Sequence, residues 1–261
     1  MTPAMVGLPC KLTFSGLTNS AQAQLQTAPP MIQASSRLCR IYGSTSSIPL
    51  LSRVRVVRAA AWLAATRPRT LGASLVPVAV GTAYAWRKID GISWGTFALC
   101  LCFASLMQIG ANFANDYYDF RRGADGQDRI GPARAVASGD IKPRTMQICA
   151  LAVLSVGFVV GLFLLWVSHG GWPLLAVGVA SVVCALAYTS GPWPLAYLGL
   201  GDLFVILFFG LIAVLVTHYV QLSAAGYEWE QAPWIPALGV GLVINNLLVV
   251  NNHRDAETDR L

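Results

Sequence analysis

Residues 112–134 read Asn112-Phe-Ala-Asn115-Asp116-Tyr-Tyr-Asp119-Phe-Arg121-Arg122-Gly-Ala-Asp125-Gly-Gln-Asp128-Arg129-Ile-Gly-Pro-Ala-Arg134, with Lys142 and Arg144 close behind. Between 112 and 144 the chain carries five of its twelve acidic residues and six of its eighteen Lys and Arg. An apolar run, Phe97 to Ala111, leads into this stretch, with Gln108 its one strongly polar member. An apolar run that ends in Asn and Asp sets carboxylates at the mouth of a membrane helix. Ionisable groups at membrane depth are costly, and by default they point to function.

The rest of the chain fits that reading. It is 55% hydrophobic and only 11% charged, where a soluble domain carries about 25% charge. An apolar core of about 30 Å takes about 20 residues of helix to cross. Six such stretches stand out: 70–86, 93–114, 146–168, 172–190, 202–222 and 233–252. The expected fold is therefore all-α, a multi-pass transmembrane helical bundle of about six helices embedded in a lipid bilayer. Arg69 and Arg87 flank the short first stretch, where their side chains snorkel to the interfaces. Gly and Pro recur within the spans, which membrane helices tolerate.

Basic residues in short loops set the orientation. With the N-terminus inside, the inner segments hold Arg53, Arg55, Arg58, Arg67 and Arg69, the six of the loop 115–144, and Arg254 and Arg260. The outer segments hold Arg87 and Lys88, with Glu228 and Glu230 in the loop 223–232. The net charge of +6 follows from this topology. No interleaving of aromatic and basic residues suggests a nucleic-acid partner. The six cysteines are scattered without metal-ligand spacing, so neither zinc nor disulfides are implied.

Residues 1–58 contain no Asp or Glu and are rich in Ser, Thr, Gln and Pro. They suit an organelle transit peptide, a disordered leader, or a start codon placed too far upstream. No long apolar region near Met1 suggests a secretory signal. The expected organisation is a leader over 1–58 and one membrane domain over 59–261.

A second acidic cluster lies at the C-terminal end: Asn251-Asn-His-Arg-Asp255-Ala-Glu-Thr-Asp259-Arg260. Asn115-x-x-x-Asp119 and Asn251-x-x-x-Asp255 share a spacing, each at the same end of an even-numbered helix. Positions i and i+4 lie on one helix face, so Asn112, Asn115, Asp116 and Asp119 point one way, as do Asn251, Asp255 and Asp259. Two such helices on one side of the membrane can hold a hard cation through oxygen ligands. Mg2+ commonly takes one or two carboxylates plus substrate phosphates. Arg122, Arg129 and Arg134 are the natural counter-ions for a diphosphate.

The remaining polar residues have blander readings. Asp90, Asp140, Glu228 and Glu230 are solvated loop charges. Asp125 and Asp128 stand between loop charge and ligand. His169 and His218 sit at helix ends as interfacial residues. Asn245 and Asn246 lie within an apolar span and need hydrogen bonds, supplied by a neighbouring helix or by substrate. Trp166, Phe204, Phe208 and Phe209 are lipid-facing or core residues.

At its two acidic clusters the sequence resembles the UbiA superfamily of intramembrane aromatic prenyltransferases. The first motif reads Asn115-Asp-Tyr-Tyr-Asp119 with Asp125, and the second Asp255-Ala-Glu-Thr-Asp259. A finer likeness is to the 1,4-dihydroxy-2-naphthoate polyprenyltransferase branch. It runs through Arg67-Pro-Arg-Thr70, Asp128-Arg-Ile-Gly-Pro-Ala-Arg134, Tyr188-Thr-Ser-Gly-Pro192 and Leu198-Gly-Leu-Gly-Asp202. The general family has its third acidic residue of motif one where this chain has Gly123, and here Asp125 stands nearby. The family fold has nine helices around a central cavity. About six are expected here, and the chain is read as incomplete at its C-terminus.

The resemblance implies Mg2+-dependent transfer of a prenyl group from a polyprenyl or phytyl diphosphate to an aromatic acceptor. For 1,4-dihydroxy-2-naphthoate the ring carboxylate is lost as CO2, giving demethylmenaquinone. It implies that Asp116, Asp119, Asp255 and Asp259 are catalytic and, with Asn115 and Asn251, hold the metal and diphosphate. Arg67, Arg122, Arg129 and Arg134 become contacts to diphosphate or to the acceptor carboxylate. Asn112, Tyr188 and Asp202 become substrate contacts. The implied setting is a bacterial inner membrane first and a plastid membrane second. The rival readings are a related enzyme for 4-hydroxybenzoate or homogentisate, and a cation-coupled membrane transporter.

Overall fold

The computed structural model describes residues 59–123, 134–190 and 199–255. The expected leader lies outside the described residues. After a short helical segment over 59–65, six helices carry the described chain: α1 Pro68–Ile89, α2 Trp94–Arg122, α3 Pro143–Val167, α4 Gly171–Ala187, α5 Gly201–Ala224 and α6 Trp234–Asp255. Four of them, α2, α3, α5 and α6, are long and apolar enough to cross a membrane. The protein is an all-α integral membrane bundle. Helix α4, at 17 residues, rises only about 26 Å. Helix α1 is long enough, but Arg69, Arg87 and Lys88 at its ends, with its Gly, Ser and Thr, make it less apolar than the other long helices.

Local chemistry sets several ends. Pro68 and Pro143 open α1 and α3 at the first turn, where a missing N–H costs nothing. The largest departure from expectation is in α2, which runs to Arg122 rather than stopping near 114. Arg121 and Arg122 occupy its last turn, where cations suit the helix dipole. Gly123, at φ 74°, caps it by donating its N–H to the carbonyls of Asp119 and Phe120. Asp116 and Asp119 therefore belong to the helix and not to the loop after it.

Helix α2 is the central post, packed along α3 and touching α1, α4 and α5, while α1 and α6 pack on α5. Glycines make close approaches between the helices. A Cβ on Gly81 of α1 would sit 2.5 Å from the Val214 carbonyl of α5, and one on Gly210 of α5 would sit 2.6 Å from Gly241 Cα of α6. Without a driving force from water, small residues let membrane helices pack by close contact.

His218 is buried. It is 3% exposed, with its backbone nitrogen against Gly81, and nearby Gln221 donates to the Thr82 hydroxyl at 3.4 Å. The glycine-permitted contact between α1 and α5 buries it. His169 is exposed, as expected. At the opposite ends of α1 and α6, Lys88 pairs with Glu230, which is exposed, and the ammonium holds that carboxyl below the usual carboxylate range.

Candidate active site

The first acidic motif is built by the last two turns of α2 and by the segment that folds back onto it. Ala135, Val136 and Ile141 bury themselves against Phe113, Ala114, Tyr117 and Met146. Gly139, at φ 78°, gives the turn that returns the chain to α3. This small apolar contact fixes Arg134. Its guanidinium donates from Nη1 to Asp116 Oδ1 at 3.0 Å and from Nη2 to Asp119 Oδ2 at 3.1 Å. The Ala135 N–H donates to the other Asp116 oxygen at 3.2 Å. Asp116 and Asp119 are 1% and 8% exposed. Carboxylates so deep need pairing, and one planar cation satisfies both.

Arg67 approaches Asp116 from α1 at 3.7 Å. It has left-handed backbone angles, φ 52° and ψ 62°, immediately before Pro68. A residue before proline is kept out of the right-handed helical region, and a left-handed conformation there costs about 1–3 kcal/mol. The bend aims the guanidinium at the acidic cluster. Asn112 secures the same corner by donating to the Thr66 carbonyl at 3.0 Å.

A cavity of about 350 Å³ opens beside these residues, with walls from all six helices. Arg67, Asn112, Asn115, Tyr188 and Asn251 stand on its lining, so the asparagines of the two motifs, 136 residues apart in sequence, face one space, while Asp116 and Asp119 lie off the lining. The deep end is apolar, with Val78, Leu164, Leu174 and Val220. Asn115 accepts a hydrogen bond from the Thr189 hydroxyl at 2.8 Å. Arg122 points elsewhere, donating to the Thr189 carbonyl. The Tyr188 ring end lies by the start of α5, where a Cβ on Gly201 would come 3.2 Å from its hydroxyl. Asp202 is exposed in the first turn of α5 and is not on the cavity lining. Asp255 is the last residue of α6. Asp125, Asp128, Arg129 and Asp259 lie outside the described residues. Among the described residues no three His, Cys, Asp or Glu side chains gather into a metal cluster.

Helix α5 brings aromatic residues that sequence reading assigned to lipid or core. Phe204, Phe208 and Phe209 line the cavity, and the first two rings stack at 5.9 Å and 7°. Trp166, by contrast, is 69% exposed. The lining residues Phe204, Phe208, Ile212, Val216 and Val220 recur at every fourth position. A regular α-helix turns 100° per residue, so each four-residue step overshoots by about 40°. Over four steps Val220 would rotate about 160° away from Phe204. The segment Ile206–Ile212 is π-helical, and its wider turn takes back much of that drift. One face of α5 thus stays on the cavity from end to end.

The UbiA prenyltransferase family matches residues 74–261. The chain is 34% identical over 203 residues to the 1,4-dihydroxy-2-naphthoate octaprenyltransferase of Haemophilus influenzae, covering 76% of this chain and 65% of the relative. It is 40% identical over 201 residues to the protein of the same name from Mycobacterium tuberculosis, covering 77% and 66%. A more distant similarity, 29% over 204 residues, is to UbiA prenyltransferase domain-containing protein 1 of Xenopus tropicalis. The chain spans just under two thirds of the length of the first two relatives.

Proposed function

The chain belongs to the UbiA prenyltransferase family, and from that premise we propose that it transfers a polyprenyl group from a polyprenyl diphosphate to 1,4-dihydroxy-2-naphthoate, with loss of CO2, to give demethylmenaquinone in its reduced, hydroquinone form. The observation that carries this reading is the single cavity on which Asn115 and Asn251, one from each motif, stand beside Arg67 and Tyr188. The names of its relatives supply the choice of acceptor.

The residues suit the chemistry. Breaking the bond to diphosphate builds negative charge on the leaving group and positive charge on the allylic carbon. We assign Arg67, on the cavity lining, and Arg134, on the carboxylates behind it, to meeting the negative charge as fixed donors, and Arg122 and Arg129 to the same task or to the acceptor carboxylate. The apolar deep end excludes water from the allylic cation and gives the isoprenoid tail its place. The ring carbon that bears the carboxylate forms the new bond, and CO2 leaves with its bonding electrons returned to the ring. Asn112, Tyr188 and Asp202 are assigned to orienting the substrates.

The donor set suits a hard cation. Asp116 and Asp119, behind the lining on the α2 turns that carry Asn115, offer carboxylate oxygens, the ligands Mg2+ takes together with substrate phosphates. Asp116 and Asp119, with Asp255 and Asp259 from the second motif, would hold it, and Asn115 and Asn251 would contact the same metal-diphosphate unit. Bound there, Mg2+ supplies compensating charge for the departing diphosphate. We assign this chemistry to a domain over 59–261, with 1–58 as a leader, in a bacterial inner membrane or, second, a plastid membrane.

Membranes carrying the chain test this directly when given 1,4-dihydroxy-2-naphthoate, a polyprenyl diphosphate and Mg2+, with product and CO2 as readouts. EDTA abolishes turnover, and Asp119→Ala and Asp255→Ala each lower it about a hundredfold or more. Product from 4-hydroxybenzoate or homogentisate in place of the naphthoate would replace the acceptor. No product from any acceptor, together with cation uptake into vesicles, would replace the enzyme with a transporter.

A further inference from the structure

We propose that Thr189 is a positioning residue that turns the Asn115 carboxamide so that its nitrogen, not its oxygen, faces the cavity. Asn115 then acts as a hydrogen-bond donor to an oxygen anion bound there. The inference deepens the proposed diphosphate chemistry of this cavity and rests on it.

Thr189 follows the end of α4 in a turn where its N–H reaches the Leu186 carbonyl at 3.4 Å and the next N–H, of Ser190, reaches it at 2.9 Å. It is 3% exposed. From this buried place it uses two groups on α2: its hydroxyl donates to Asn115 Oδ1 at 2.8 Å, and its carbonyl accepts from Arg122. Asn115 and Arg122 are seven residues apart, two turns on one face of the helix. Helical side chains lean toward the N-terminus, so the long Arg122 side chain reaches back to the level of Asn115. The turn after α4 is thereby clamped to α2 at two points.

A threonine hydroxyl has one proton to give, and here it goes to the carboxamide oxygen. Thr189 is not on the cavity lining, whereas Asn115 is. With its oxygen held by a residue off the lining, the amide has its two N–H donors left for the cavity. An N–H pair cannot ligate a cation, but it suits a diphosphate oxygen. Asp116 and Asp119, on the same turns of α2, remain the oxygen donors for metal. The helix end is thus divided between anion and cation recognition.

The test uses the purified full chain in detergent or lipid discs, with Thr189→Val, Thr189→Ser and wild type compared. Binding of inorganic diphosphate in Mg2+ is measured by calorimetry, Mn2+ affinity without diphosphate by electron paramagnetic resonance, and KM and kcat by turnover. Thr189→Val is expected to weaken diphosphate binding and raise KM for the prenyl diphosphate about tenfold or more, the scale of one hydrogen bond to a charged group. Its Mn2+ affinity stays at the wild-type value, and Thr189→Ser restores diphosphate binding. Unchanged diphosphate binding in Thr189→Val would overturn the proposal. So would a parallel loss of Mn2+ affinity, which would make Asn115 a metal ligand, or a serine variant as poor as the valine. If wild type binds diphosphate yet prenylates no acceptor, the functional reading fails, and the binding comparison still decides the role of Thr189.

Discussion

Arg134 lays one guanidinium across two buried carboxylates, and that geometry has a cost if it is broken. Taking one partner from a buried ion pair leaves uncompensated charge, at about 3–5 kcal/mol. Arg134→Gln is expected to lose stability on that scale in a denaturant melt in detergent, although Arg67 stays 3.7 Å from Asp116. Divalent cation should recover part of the loss, because it can supply the missing positive charge to Asp116 and Asp119. A melt identical to wild type would show that the pair does not contribute. Arg134→Lys should recover little, since an ammonium cannot bridge two carboxylates in one plane. The spacing of Asp116 and Asp119 was legible in the sequence, because helical periodicity alone puts them on neighbouring turns. That Arg134 would be their partner was not, since its reach depends on Ala135 and Val136 burying themselves against α2. Thr189 was quoted only as part of a longer motif, and no local pattern marks a threonine that will meet an asparagine 74 positions away.

At the scale of single elements, α5 and α6 meet through Gly210 and Gly241, next to the π-helical turn that keeps α5 in phase with the cavity. A Cβ on Gly241 would stand 2.9 Å from the Ile206 carbonyl, and one on Gly210 would stand 2.8 Å from the Ala237 carbonyl. These neighbours are backbone, which cannot swing aside. Gly210→Ala and Gly241→Ala should each destabilise by about 1–3 kcal/mol, the usual cost of overpacking. Gly239→Ala on the same helix, where an added Cβ meets nothing within 4 Å, should be neutral or mildly stabilising. Unfolding in mixed detergent distinguishes the three. If all three behaved alike, the close contact would not exist. Helix existence was legible for all six elements from apolar length. The π-helical segment was not, because Ile206–Ile212 looks like any other apolar run. The fourfold recurrence of lining residues on α5 was present in the sequence, but it only gains meaning once the cavity is known.

At the scale of the whole molecule, basic residues in the loops set sidedness. The count of basic residues puts the segment between α2 and α3 on the inner side and that between α5 and α6 on the outer. Cysteines introduced at the exposed Asp140 and Glu228 report this in a background without the native cysteines. In intact cells a membrane-impermeant maleimide should label Glu228→Cys, and it should label Asp140→Cys only after permeabilisation. The reverse result would invert the topology, and equal labelling would mean that the loops do not lie on opposite sides.

The sequence by itself determined the membrane class, the six apolar helices, the Asn/Asp repeat and the family, because each is written in local hydropathy or in short spacings along the chain. Tertiary structure alone decided what those residues touch. It put Asn115 and Asn251 on one cavity, buried His218 against Gly81, brought Phe204 and Phe208 in from their expected lipid-facing or core places, and left Asp202 off the lining. The physical reason is that periodicity fixes which residues share a face of a helix. Which face turns inward is settled by the close packing of neighbouring helices, and that depends on contacts between residues far apart in the chain.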